Sequence, residues 1–194
     1  MSNIRIKRTH DELKAARPTP GELTCLPRIP VSILVENIRS VHNVGAIFRA
    51  ADGFGADTIY LTGYTAYPPR EDLHKVALGA ETSIPWLHFD DPLEALARIK
   101  SRGCQVAGIE QTISSQSIYE VRWQFPVCFV VGNEVAGVSE NLLKHCDLTA
   151  EIPMFGIKQS LNVSVATGVV GYEIARVFRE IRGVNPTSEK KESI

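Results

Sequence analysis

The sequence has 194 residues, enough for one domain with a sizeable core, and its apolar fraction of 44% is that of an ordinary globular protein. With 21 Lys and Arg against 22 Asp and Glu, the formal net charge of −1 excludes a polycation that coats nucleic acid over its whole surface. No apolar run approaches the roughly 18 residues that span a bilayer, and MSNIRIKRTH lacks the apolar core of a secretory signal, so a cytoplasmic protein without membrane contact is expected.

Residues 1–30 are polar and basic. Arg5, Lys7, Arg8, Lys14, Arg17 and Arg28 outnumber Asp11, Glu12 and Glu22, and Pro18, Pro20, Pro27 and Pro30 interrupt any long helix. An arm is predicted, either wrapping over the domain or reaching for a ligand. Its local charge suits phosphates even on a nearly neutral protein.

VSILVE (31–36) is a short β-rich run, and Asn43 to Phe54 has helical spacing with Val44, Ile47, Phe48 and Ala51 on one face. DTIYLTG (57–63) reads as a second strand. DPLEALARIKSRG (91–103) is a helix with Asp91 as cap, Pro92 in the first turn and Gly103 as terminator. CQVAGIE (104–110) and PVCFVVG (126–132) read as buried strands, SENLLKHC (139–146) as a short helix and LTAEIPM (148–154) as a final or edge strand.

The longest helical pattern runs from Ser160 to about Arg182. Its first half (Val163, Val165, Ala166, Val169, Val170) is apolar on nearly every side, which predicts burial within the domain or against a partner subunit. In its second half Arg176, Arg179 and Arg182 face away from Val177, Phe178 and Ile181. The alternation predicts an α/β fold with a mainly parallel sheet flanked by helices. The expected organisation is a basic arm at 1–30, a domain at 31–182 and a flexible tail at 183–194 (ending NPTSEKKESI).

Cys25, Cys104, Cys128 and Cys146 form no CxxC or CxxH pair, and the five histidines show no zinc-type spacing. Buried thiols and no metal site are expected.

Ligands of open parallel sheets bind beyond the carboxyl ends of the strands, and three segments place unusual residues there. In NIRSVHNVGAIFRAADGFGA (37–56), Asn43 and Gly45 sit at a helix start, where backbone N–H groups favour an anion. Arg49 lies six residues on, in an otherwise apolar helix; it either pairs with an acid such as Asp52 or clamps a phosphate with its planar fork. FVVGNEVAGVS (129–139) runs from a buried strand into a glycine loop carrying Glu134. Val138 stands where a phosphate loop needs lysine, so what is left is a tight loop whose glycines let the backbone approach a flat ligand. In EIPMFGIKQSLNVSVATG (151–168), Ser160 and Asn162 sit where side chains cap a helix or face a ligand.

Taken in order, these segments closely resemble the three motifs of the SPOUT superfamily, in its TrmH (SpoU) branch of RNA 2′-O-ribose methyltransferases. Asn43-x-Gly45-x-x-x-Arg49 with Phe54-Gly55 resembles the first. Gly132-Asn133-Glu134 with Gly137 resembles the second. Ile152-Pro153-Met154 and Ser160-Leu161-Asn162-Val163-Ser164-Val165-Ala166 nearly match the third. KVALGAE (75–81) resembles a further segment of the branch, and the match covers roughly residues 31–182.

The resemblance implies a C-terminal deep trefoil knot, where topology rules alone lead to an unknotted sheet. It also implies a homodimer with the last helix and first motif at its interface. The cofactor implied is S-adenosylmethionine, held near Gly132, Ile152 and Leu161, with Leu61, Thr62, Gly63 and Met154 close by. The chemistry implied is methyl transfer to a ribose 2′-hydroxyl of structured RNA, with tRNA placed before rRNA. Arg49 is then central, Asn43 and Glu134 shape its surroundings, and Ser160 and Asn162 line the same site. A guanidinium with pKa above ~12 is a poor base, so Arg49 is expected to act as a phosphate clamp that orients and polarises the hydroxyl, with the role of base as the alternative. RNA capture is expected at Arg5, Lys7 and Arg8 of the arm and at Arg39, Arg70, Lys75 and Lys158.

A catalytically inactive RNA-binding module with the same fold is the alternative, against which the full set Asn43, Arg49, Glu134, Ser160 and Asn162 argues. A nicotinamide-dependent oxidoreductase needs GxGxxG after the first strand, where NIRSVHNVG stands instead.

Overall fold

A computed structural model describes residues 6–18, 22 and 28–183. Seven parallel strands form one sheet: β1 (Val31–Glu36), β2 (Thr58–Thr62), β3 (Trp86–Phe89), β4 (Gln105–Ile109), β5 (Gln116–Ser117), β6 (Val127–Val131) and β7 (Leu148–Glu151). Their order across the sheet is β3-β2-β1-β6-β4-β7-β5, so β6 is inserted between β1 and β4, and β7 between β4 and β5.

The helices with described bounds are α1 (His10–Ala15), α2 (Val41–Phe54), α3 (Glu71–Ala77), α4 (Ala80–Ser83), α5 (Pro92–Ser101), α6 (Glu140–Leu143) and α7 (Val163–Ile181). Strands β1 and β6 are buried along their whole length, as central strands covered on both faces must be. Alternate residues serve alternate faces. Ile33 and Val35 join Ile47, Phe48, Phe129, Val170 and Ile174 under α2 and α7. Leu34 joins Tyr60, Leu96, Ile99, Val130 and Leu142 under α5 and α6 on the other face.

Helix α7 lies close against α2: a Cβ on Gly171 would sit 2.1 Å from the Phe54 ring, and Tyr172 meets that ring edge-on at 6.0 Å. Helix α5 starts and stops on the predicted signals, with Asp91 accepting from the Leu93 N–H, Pro92 in the first turn and Gly103 at φ +73°.

Several expectations are corrected. The long helix begins at Val163 rather than Ser160, because the Asn162 side chain accepts from the Ser164 N–H and caps it. Its apolar first half is not wholly buried within the domain, since Val165 is 51% exposed. The sequence reading passed over α3, α4, β3 and β5 entirely. KVALGAE spans the break between α3 and α4, where Leu78 and Gly79 both take left-handed backbone.

In the arm, α1 carries a complete capping box between Thr9 and Glu12, and none of its residues is buried. Arg28 is turned inward, donating to the carbonyls of Ala56 and Ser83, so it ties the chain to the domain instead of reaching outward. Arg5, Cys25 and residues 184–194 of the expected flexible tail lie outside the described residues.

Cys104 and Cys128 are buried and Cys146 is partly buried; none forms a disulfide, and burial raises the pKa of all three thiols, that of Cys146 to about 11. Among the described residues no helix is long and apolar enough to cross a membrane, and no group of three or more His, Cys, Asp or Glu is placed to hold a metal.

Candidate active site

A cavity of about 470 Å³ opens at the carboxyl ends of three adjacent strands, β6, β4 and β7. That volume lies within the range of small-molecule sites. Ile109, Val131, Ile152, Leu161 and Ala166 give it apolar walls, and Glu110, Gln111, Asn133, Glu134, Ser160 and Asn162 line it with polar groups.

The loop after β6 closes on itself. The Gly137 N–H donates to the Asn133 carbonyl at 2.9 Å, and the Asn133 Oδ1 accepts from the N–H groups of Val135 and Ala136 at 2.9 and 3.0 Å. A Cβ on Gly132 would stand 2.2 Å from the Gly137 carbonyl. The absent side chain at Gly132 therefore makes room for the loop's own backbone, while Gly132 itself lines the cavity. Glu110, at the end of β4, accepts from the Val138 N–H at 3.0 Å and braces the same loop. It was missed in the sequence, although its place directly after a buried strand was the signal.

Three distant segments meet at this loop. The Glu134 carboxylate accepts from the backbone N–H of Arg39 (3.1 Å) and Ser40 (3.0 Å) and from the Asn43 Nδ2 (2.9 Å). The Asn43 Oδ1 in turn accepts from the Asn162 Nδ2 at 3.0 Å, while the Asn162 Oδ1 caps α7. A carboxylate at the positive end of α2 is electrostatically favoured. Burial works to raise the Glu134 pKa, but the hydrogen bonds from Arg39, Asn43 and Ser40 outweigh it and hold the carboxyl below its ordinary value. Glu134 is therefore ionised at neutral pH and fixes which way both amides point.

Of the expected cofactor residues, Gly132, Ile152, Met154 and Leu161 line the cavity. Leu61, Thr62 and Gly63 do not. They end β2, which β1 separates from β6, and the Thr62 hydroxyl is buried, donating to the Val35 carbonyl. Of the catalytic candidates, Glu134, Ser160 and Asn162 line the cavity and Asn43 joins them through hydrogen bonds. Arg49 is exposed, six residues and so about 9 Å along α2 from Asn43. Its guanidinium has no hydrogen bond or ion pair among the described residues, and Asp52 accepts from the Ser83 hydroxyl instead.

Among the expected RNA contacts, Lys7, Arg8, Arg39 and Lys158 are exposed. Arg70 makes a two-point bond to Asp72, and Lys75 pairs with Glu71 at 2.8 Å, so both charges are partly committed to neighbours.

Comparison with known proteins gives these residues a context. The chain is 35% identical over 153 residues to the tRNA (guanosine(18)-2'-O)-methyltransferase of Aquifex aeolicus, covering 78% of this chain and 71% of that one. It is 32% identical over 148 residues to the 23S rRNA (guanosine-2'-O-)-methyltransferase RlmB of Pseudomonas aeruginosa, covering 76% of this chain but only 59% of that enzyme. The solved structure of the SpoU methyltransferase AviRb from Streptomyces viridochromogenes in complex with AdoMet superimposes with a TM-score of 0.71 at 26% identity, covering 78% of this chain and 62% of that one. The sequence model of the SpoU rRNA Methylase family matches residues 30–172, which contain the cavity, the Glu134–Asn43–Asn162 chain and Arg49, and the protein belongs to that family.

Proposed function

We propose that this protein transfers a methyl group from S-adenosylmethionine to a ribose 2′-hydroxyl of structured RNA, with tRNA as first substrate and rRNA as second. The observation that carries the reading is the hydrogen-bonded chain Glu134–Asn43–Asn162 beside a cavity of about 470 Å³ with both apolar and polar walls. The tRNA preference rests on the greater identity to, and fuller coverage of, the Aquifex tRNA enzyme.

The cavity suits the cofactor. Ile109, Val131, Ile152 and Leu161 offer apolar faces to a flat base, and Gly132 and Met154 lie among them. Bound there, S-adenosylmethionine would supply an electrophilic methyl on a cationic sulfonium, which would leave as the neutral thioether while the hydroxyl proton passed to solvent. The residues of this chain supply position and field. Glu134 locks the Asn43 amide, Asn43 locks that of Asn162, and Ser160 stands on the same rim. Arg49 is the phosphate clamp: its free, exposed guanidinium on the helix that carries Asn43 suits two-point binding of phosphate oxygens. Leu61, Thr62 and Gly63 have no part in this reading.

The working form is a homodimer. Support comes from the apolar surface that one copy leaves open, with Val165 and Tyr172 on α7 and Phe155 and Ile157 on the loop before it. The C-terminal trefoil knot belongs to the same proposal. The crossing from β6 over β4 to β7, followed by the return of α7 to α2, is consistent with it. The arm at 1–30 is proposed to assist RNA capture through Lys7 and Arg8.

The test is incubation with labelled S-adenosylmethionine and unmodified bulk tRNA or rRNA, with Arg49→Ala as control, followed by digestion to nucleosides. A labelled 2′-O-methylnucleoside absent from the control is expected. Cofactor binding without transfer would point to an untested RNA or a missing partner, and no cofactor binding at all would leave the inactive RNA-binding module.

A further inference from the structure

The turn after β2 holds an aromatic ring that the catalytic reading does not use. Tyr64 is 62% exposed, yet its position is tightly specified. Its N–H donates to the Asn37 Oδ1 at 3.3 Å, and its hydroxyl accepts from the Asn133 Nδ2 at 3.0 Å. The same Asn133 amide donates to the Asn37 carbonyl at 2.9 Å. Asn37 takes left-handed backbone at φ +54°, and so does Gly63 at φ +61°. A Cβ on Gly63 would fall 2.0 Å from the Asn37 Oδ1, so only glycine lets the turn close on that side chain.

An exposed tyrosine on a turn ordinarily keeps its rotational freedom, since nothing repays the entropy of ordering it. Here the phenol oxygen is pinned to the residue that precedes Glu134, so the ring stands on the carboxylate side of the site with its faces open. The neighbouring Tyr67 shows the contrast. Its ring lies 4.0 Å from that of His88 and 6.2 Å from that of Trp86, and is used up within the fold. Among the described residues Tyr64 has no such ring contact. Arg39, exposed beside the same loop, adds a positive charge.

We propose that Tyr64 is a nucleobase-stacking position, taking an unpaired base of the RNA strand that presents its ribose to the site. The proposal rests on the RNA-methyltransferase reading. Every base has a flat face, and single-stranded RNA segments are recognised by splaying bases onto aromatic rings. A preordered ring spares the bound state the cost of fixing it. In this arrangement Arg39 holds backbone phosphate, Tyr64 holds a base, and the ribose between them is turned toward Glu134 and Asn43.

The test uses the full chain with bulk unmodified tRNA and rRNA, comparing wild type with Tyr64→Leu, Tyr64→Phe and Tyr64→Trp. The readouts are RNA KM, S-adenosylmethionine affinity and, for Tyr64→Trp, indole emission on adding RNA. Expected for Tyr64→Leu is an RNA KM raised about tenfold or more with cofactor affinity within about twofold of wild type. The ring-retaining variants should recover RNA binding, and Tyr64→Trp emission should be quenched by RNA beyond the background of Trp86 and Trp123. Equal impairment of Tyr64→Phe and Tyr64→Leu would overturn the proposal by showing that the hydroxyl anchor alone matters. So would an unchanged KM in Tyr64→Leu, or no quenching in Tyr64→Trp, which decides the matter even if Tyr64→Leu fails to fold. If the wild type methylates neither RNA, the functional reading fails, while the quenching experiment still judges stacking by itself.

Discussion

The two halves of the sheet's carboxyl edge are built differently. Beyond β6, β4 and β7 the loops curve back, and backbone groups are held by Glu110, Asn133 and Glu134 around the cavity. Beyond β2 and β3 the chain presents the Tyr64 turn, the Tyr67–His88 stack and the paired Arg70 and Lys75. One half holds a cavity of small-molecule size, and the other presents exposed side chains. The insertion of β6 beside β1 joins them, because it brings the Glu134 loop against the start of α2 and the Tyr64 turn. Binding of cofactor and binding of RNA should therefore be separable by mutation, except at the seam.

Helix α2 should show the largest effect. Arg49→Lys keeps the charge but loses the planar fork, so methyl transfer should fall about a hundredfold in kcat with cofactor affinity unchanged. Single-turnover rates on saturating RNA measure this, and retention of most of the turnover would sink the two-point clamp. In the enclosed half, Gly132→Val should disrupt the loop that a Cβ already crowds at 2.2 Å. Calorimetry should show S-adenosylmethionine affinity reduced at least about tenfold, an expectation set by the sensitivity of close-packed sites to added volume.

On the open half, Arg39→Ala should weaken RNA several-fold and reduce the slope of log affinity against log salt by about one, whereas Arg70→Ala, already paired with Asp72, should do less. Filter binding across a salt series separates the two. Equal slopes would mean that both charges, or neither, face the strand.

The smallest effect concerns stability. The Glu134 carboxyl titrates below its ordinary value of 4.5, so it stabilises the fold above that value, and the contribution is lost as pH falls through its lowered pKa. Glu134→Gln should cost about 0.3–1 kcal/mol at pH 7, discounted for solvent screening. The difference in Tm between wild type and variant should shrink as pH is lowered from 4.5 through the lowered pKa. A constant difference would mean that packing, not charge, holds the loop.

Local signals were legible wherever a single segment carried its own explanation. Asp91, Pro92 and Gly103 delimit α5, and the unbroken apolar runs at 31–36 and 126–132 mark the two central strands. The ordered motifs named the polar residues that the fold then brings together: Asn43, Glu134 and Asn162 are separated by 91 and 119 residues yet are hydrogen-bonded. Elements with weak or mixed patterns, such as β3 (WLHF) and the two-residue β5, escaped notice because a partly exposed or very short strand has no periodicity of its own.

The rule that ligands gather at strand ends picked out residues around one cavity at β6 and β7, whereas Leu61–Gly63 at β2 lie away from that cavity. Sequence alone determined which residues end strands, because the hydrophobic pattern and the glycines are local properties of the chain. Only the tertiary structure decided which strand ends are neighbours, since strand order comes from pairings between residues far apart in sequence. That order put β1 between β2 and the cavity and set Glu134 at the start of α2. It also pinned the Tyr64 hydroxyl to Asn133.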